Sequence, residues 1–314
     1  MALVLLLALF AIFPAPHCVV FLVLPSTSST RIPASPRDLI IDQEEAGSLL
    51  TLPPTITRCL VRSNLILLSY NSIGNIMQAT GNNVSALEMH NKALAICEEV
   101  LGKEHPDTAT SYSNIGTTML VMGDNVGALE MHTKALTICE KILGEEHPYT
   151  ANSYNSIGAV MQATGDNVGA LKMYNKDLAI REKVLGKNHP DTGTAHNNIG
   201  AVTEAVGDNV GALEMYNKAL AICQKVFGNK HPDTATSYSN IGTVMWAMGD
   251  NVGALDMHDK ALTIYEKVLD KEHPDSATSY NNFGAVMQAT GDNVDAFSMH
   301  TKALTIREEV QGAP

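Results

Sequence analysis

From residue 63 onward the hydrophobic and polar positions recur in a fixed register of 42 residues. Within 105–146, the positions Ala128, Leu129, His132, Ala135, Leu136, Ile138, Ile142 and Leu143 are spaced three and four apart, which gathers them on one side of an α-helix. The alternation of a strand is missing, so the pattern predicts a second helix from about Val126 to Leu143. Ahead of it, residues from about Thr108 to Met122 read as a first helix, with Asp107 or Thr108 placed to cap its free amides and Pro106 blocking backward extension. Gly123-Asp124-Asn125 between them is a turn signal. It recurs at 165–167, 207–209, 249–251 and 291–293, and as Gly81-Asn82-Asn83. Gly144 follows the second helix, where a left-handed residue is needed. Glu130 stands four before Lys134 on the wet face, as Glu88 does to Lys92 and Glu214 to Lys218, whereas Lys172 and Lys176 oppose like charges.

His105, His147, His189, His231 and His273 each open a unit and are each followed by Pro. The units are 63–104, 105–146, 147–188, 189–230, 231–272 and 273–314, the first lacking the His-Pro start but regaining the pattern at Tyr70. One helical hairpin cannot bury its own apolar side, so such units stack and share a continuous core. The prediction is an all-α array of about twelve helices.

Composition narrows the function. The net charge is −12, and residues 1–62 balance four arginines against Asp38, Asp42, Glu44 and Glu45, so the repeats carry the excess. An acidic array repels phosphate backbones, which argues against nucleic acid as a partner. Cys97, Cys139 and Cys223 share a column with Arg181, Tyr265 and Arg307. Equivalent positions lie roughly 20 Å apart, two helix diameters, too far for a disulfide. Free, partly covered thiols are expected, which suits a reducing compartment.

Residues 1–24 are an uncharged apolar run broken by Pro14, Pro16 and His17. The run resembles the core of a secretory signal more than a membrane span, but no Lys or Arg precedes it and no clear cleavage site follows. The expected location is the cytoplasm, with the secretory pathway as the alternative if the leader is used and membrane contact only if it is retained. Residues 25–62, rich in Pro, Ser and Thr at their start, read as a flexible tether.

The columns inside the units resemble the tetratricopeptide pattern of aromatic, Leu, Gly, aromatic, Ala, aromatic and Ala. One unit supplies Tyr112, Ile115, Gly116, Met119, Ala128, His132 and Ala135; the next supplies Tyr154, Ile157, Gly158, Met161, Ala170 and Tyr174; a later one supplies Tyr238, Ile241, Gly242, Met245, Ala254 and His258. Two departures, Asp177 for the second Ala and His196 for Tyr, predict looser contacts. The usual period in this superfamily is about 34 residues. The longer unit, its His-Pro-Asp-Thr start and endings such as Ile180-Arg-Glu-Lys-Val-Leu-Gly look like the kinesin light chain and nephrocystin-3-like branch. Residues 1–62 show no heptads, so a motor-gripping coiled coil is not expected.

The resemblance implies a right-handed superhelical solenoid of six 42-residue helical hairpins whose first helices line a concave groove, and a non-enzymatic scaffold or adaptor that holds a partner peptide there. Two rows stand in the matching places: Asn71, Ser113, Asn155, Asn197, Ser239 and Asn281, and beside them Ser72, Asn114, Ser156, Asn198, Asn240 and Asn282. Asn supplies a donor and an acceptor, so such a ladder can pair with the main chain of an extended peptide. Further along lie Gln78, Leu120, Gln162, Glu204, Trp246 and Gln288, with Trp246 as an apolar anchor. A carboxylate clamp is not expected, because Asn75, Thr117 and Ala159 occupy its slot without basic neighbours.

No cofactor or metal is implied, since one His-Pro histidine per hairpin cannot converge on an ion. His90, His132, His258 and His300 alternate with Tyr174 and Tyr216, which marks packing. The Gly-Asp-Asn turns lack the Lys-Ser/Thr of a phosphate loop, and no Ser-His-Asp or carboxylate pair stands out. Asn83-Val-Ser85 is a formal glycosylation triplet. The rival expectation is a self-associating architectural array, stacking through the apolar end around Val286, Phe297 and Leu304.

Overall fold

A computed structural model describes residues 54–269 and 273–312. The leader 1–24 and the tether up to residue 53 lie outside the described residues. Twelve α-helices occur among the described residues, all within the compact unit Thr55–Pro314 or at its edge. The first helices of the six units are α1 (Pro54–Ala79), α3 (Pro106–Val121), α5 (Pro148–Ala163), α7 (Pro190–Ala205), α9 (Pro232–Ala247) and α11 (Pro274–Ala289). The second helices are α2 (Asn83–Val100), α4 (Asn125–Ile142), α6 (Asn167–Val184), α8 (Asn209–Val226), α10 (Asn251–Val268) and α12 (Asn293–Gly312). Helix α1 starts ahead of the boundary expected at 63, so part of the segment read as tether is helical. No described helix is long and apolar enough to cross a membrane.

Second helices pack against the first helix of their own unit and, from α2 to α10, against that of the next, which makes an all-α solenoid. Its turns are fixed locally. Gly123 and Gly144 adopt φ of 82° and 94°, the left-handed region that a side chain would strain. The caps differ from expectation. His105, not Asp107 or Thr108, caps α3, its Nδ1 accepting from the Asp107 N–H at 3.1 Å, so Pro106 becomes the first helical residue. Thr108 is instead buried and donates Oγ1 to the Gly102 carbonyl at 2.8 Å, tying the loop to the preceding unit. Asp124 accepts from Gly127 N–H at 2.9 Å and starts α4. Ile142, expected on the apolar side of α4, is its terminal residue and lies at the solvent edge, 46% exposed.

Within a hairpin, glycine sets the helix separation. A Cβ on Gly116 would sit 2.8 Å from the His132 ring, and one on Gly158 equally close to Tyr174. The column that alternates His and Tyr is therefore an interior packing column, and His90, His132, Tyr174, Tyr216 and His258 are all buried. Between units, Tyr174, Leu171 and Leu178 cluster with Ile199 and Val202, and Tyr216, Leu213 and Leu220 with Ile241 and Val244. Polar links also cross seams between units: Tyr154 donates to Glu140 at 2.5 Å and Gln224 to Tyr238 at 2.9 Å. A lysine of each unit's own second helix covers several of these rings, as Lys176 does Tyr154 at 4.5 Å.

Two expectations about unit three and the thiols are corrected. Asp177 does not loosen its contact. It is fully buried and paired with Arg181, which also donates to Asn152 at 2.8 Å and meets Asp191 at 3.0 Å. The cysteines are free, but buried outright rather than partly covered, and burial pushes the thiols of Cys97, Cys139 and Cys223 up. His196 fills the place of Tyr with its Nδ1 buried and unpartnered. Burial, and then Lys218, hold that ring below the ordinary histidine range.

Candidate functional site

The first helices of successive units also meet one another directly, α3 with α5 and α9 with α11, so the first-helix side is where the units crowd together. The structure puts Asn71 on α1, Asn114 on α3, Asn155 and Gln162 on α5, Asn197 and Asn198 on α7, Asn240 and Trp246 on α9, and Asn281 and Asn282 on α11. All the amides are half-buried, while Trp246 is 40% exposed.

These residues are not equivalent once their partners are considered. Asn198 donates Nδ2 to Asn155 Oδ1 at 2.7 Å, so the ladder bonds to itself across the α5–α7 seam. Asn281 Oδ1 lies 3.2 Å from His300 Nδ1. Gln162 accepts from the Tyr174 hydroxyl at 3.1 Å, and Glu204 accepts from Tyr216 at 3.0 Å. In units three and four the row of Gln162 and Glu204 is thus tied to the tyrosine that packs on the hairpin glycine. Asn71 Oδ1 and Asn197 Oδ1 are buried without a partner among the described residues. Asn114, Asn240 and Asn282 are not drawn into such side-chain pairs among the described residues.

Electrostatics sharpens the face. Helices α3, α5, α7, α9 and α11 contain no Lys or Arg. Their carboxylates are Asp107, Asp191, Asp233 and Asp275 in the first turns, and Glu204. The face offers amides, hydroxyls and one indole to a ligand, and no cation to receive an acidic one. No group of three or more metal-binding side chains occurs among the described residues.

Sequence reasoning did not find the buried pair of Asp177 and Arg181, or its links to the exposed Asn152 and Asp191. A signal existed: two charged departures from the repeat, of opposite sign and four residues apart, occur in the same unit. The capping role of the His-Pro histidines was also hidden, because histidine is outside the usual set of N-cap residues.

No curated protein sequence matches the chain. Among solved structures it is similar to a putative kinesin light chain of Podosopora anserina with nearly identical TPR-like repeats, at a TM-score of 0.57 and 24% identity over 67% of this chain and 100% of that one. It is also similar to BtubC (BKLC) of P. vanneervenii, with a TM-score of 0.60 and 20% identity over 74% of this chain and 91% of that one. The apo form of RapI aligns at a TM-score of 0.57 and 16% identity, over 79% and 99% of the two chains. The tetratricopeptide repeat model matches residues 65–125, 114–183, 155–221, 191–267 and 238–309. The chain belongs to the tetratricopeptide repeat family, with a fold like that of its kinesin light chain-like members.

Proposed function

We propose that this chain is a non-enzymatic adaptor that holds an extended segment of a partner protein against the inner face of α5, α7, α9 and α11. Family membership supports a protein-interaction scaffold. The observation that carries the finer reading is that the half-buried amides of Asn240 on α9 and Asn282 on α11 make no side-chain pair among the described residues. Each such amide supplies a donor and an acceptor, which the backbone of a bound strand can pair with. Trp246 supplies apolar area at the end of the same face.

The absence of Lys and Arg from five first helices selects the ligand: a neutral or basic segment is accepted, and an acidic one is repelled by Glu204 and the first-turn aspartates. The experiment is an affinity capture from native extract with the full chain as bait, repeated with Asn197→Ala, Asn240→Ala and Trp246→Ala combined. A partner held by the native chain and lost by the variant, with helical circular dichroism unchanged, supports groove binding. Equal recovery by both removes this face from the mechanism.

A further inference from the structure

The internal seams of the array are made from one pair of half-surfaces used repeatedly. The second helix of a unit offers two leucines flanking its His or Tyr, as Leu171, Tyr174 and Leu178 do on α6. The first helix of the next unit fills that surface with an Ile and a Val, Ile199 and Val202 on α7, which are only 6% and 0% exposed. The following seam repeats the arrangement, with Ile241 at 3% and Val244 at 0%.

Both half-surfaces reappear uncovered at the two ends of the described array. On α1 the inserting positions are Ile73 and Ile76, 41% and 64% exposed. On α12 the receiving positions are Phe297 and Leu304, 73% and 55% exposed, where Leu171 and Leu178 stand on α6. Contacts between large apolar side chains and water are expected at scattered points, but less so at columns that the internal seams cover wholly or in part. The two ends also differ from each other, so neither is complementary to itself.

We propose that a second copy of this chain stacks its α1 on α12, continuing the inter-unit seam from molecule to molecule. The polar complement follows the same register. Tyr112, Tyr154 and Tyr280 each donate to the glutamate fourteen residues earlier, on the preceding second helix. At the joint the equivalent pair is Tyr70 of one copy and Glu308 of the other. Two features weaken it. Arg307 stands in the column of Arg181, but Ala303 replaces the Asp177 that neutralises the internal arginine, and the preceding-loop bond made by Thr108 has no counterpart at Ile66. The joint is therefore reversible and weaker than an internal seam. Being head-to-tail, it does not close at the dimer and builds rings or open filaments.

The test is light scattering of the full chain over a wide concentration range, with Ile76→Lys blocking one end and Leu304→Lys the other. Both side chains are already exposed, so the variants keep the fold, which unchanged helical circular dichroism and an unchanged urea midpoint verify. The native chain is expected to gain mass with concentration and to pass beyond the dimer. Each variant alone stays monomeric, and an equimolar mixture of the two forms a dimer and nothing larger, because only one head and one tail remain. A native chain that stays monomeric throughout overturns the proposal, including the case in which residues 1–53 cover α1 within the same molecule. Association of either single variant to the native extent overturns it as well, since it places the contact elsewhere.

Discussion

Arg181 lies one helical turn beyond Asp177 on α6, its Nε 2.5 Å from Oδ1, with both side chains buried in a seam where the other units carry Ala and an uncharged residue or an exposed arginine. Burial pushes the Asp177 carboxyl up to about 6, against the pull of Arg181. Arg181 holds two further acceptors, Asn152 and Asp191, whereas Asp177 Oδ2 has none among the described residues. Unit three therefore replaces a small apolar contact by a charged link reaching from α6 to both α5 and α7.

The two halves of this pair should be unequal. Arg181→Cys leaves a carboxyl buried without a counter-ion, and breaking a buried pair in this way costs about 3–5 kcal/mol. Asp177→Ala leaves the guanidinium with Asn152 and Asp191, so its cost should be smaller, roughly 1–2 kcal/mol for one lost charged hydrogen bond. The double variant restores the residues of the second unit, Ala135 and Cys139, and should return close to native stability. Urea unfolding of the three variants checks the order. Equal losses from both single changes would show that the pair carries no asymmetry.

The glycines of the first helices should respond in opposite directions. A Cβ at Gly158 would stand 2.8 Å from the buried ring of Tyr174, so Gly158→Ala forces the hairpin apart and should cost about 1–3 kcal/mol. Gly193 has its nearest neighbour, Ile222 Cγ2, at 3.4 Å, and other units carry Ala109, Ala151 and Ala235 there. Gly193→Ala should stabilise by about 0.5–1 kcal/mol, since it removes a glycine from the first turn of α7 at no steric cost. Thermal unfolding midpoints of the two variants should move apart.

Burial over the hairpin glycines holds His132 and His258 down to about 4, from an ordinary 6.5. The unfolded chain thus binds more protons than the folded one between those values. Their contribution is fully present above pH 6.5 and is lost as pH falls toward 4, by roughly 3 kcal/mol for each ring. Asp177, being raised, acts in the opposite sense over part of that window, so the comparison has to be made between variants. His132→Tyr with Leu120→Gln transplants the Tyr174–Gln162 pair of unit three. Urea midpoints at pH 7 and pH 5 should show a smaller acid loss in this variant than in the native chain. An identical loss would exclude His132 as a source of it.

The periodicity was enough to place every hairpin, because the glycines, turn asparagines and small residues repeat with the helices they delimit. The first helices of the His-Pro units start about two residues earlier than expected, since a histidine imidazole and not the following Asp or Thr makes the cap, and α1 starts at Pro54, well ahead of the boundary at 63. What a repeat consensus cannot show is an exception that compensates itself. Asp177 taken alone reads as a defect, and only its distance from Arg181 turns it into a link. For the inner face the columns located the helices and their direction, but not which amides remain free. Asn155 and Asn198 come from neighbouring columns and meet only because α5 and α7 cross closely enough.

That meeting separates two kinds of ladder residue and leads to a prediction about binding. Asn198→Ala removes the donor to Asn155 and should lower stability by about 0.5–1.5 kcal/mol, the net worth of a half-buried hydrogen bond. Any loss of partner binding then follows in part from a looser α5–α7 seam. Asn240 has no such partner among the described residues, so Asn240→Ala should leave the unfolding free energy within about 0.5 kcal/mol of native, and Trp246→Ala, at a ring 40% exposed, should cost about 1 kcal/mol. Binding of a captured partner should nevertheless fall, most for Trp246→Ala, because a desolvated aromatic anchor contributes more than one amide. Calorimetry of the captured segment against each variant checks this. If Asn198→Ala alone weakens binding, the amides serve the scaffold and the contact surface lies outside this row.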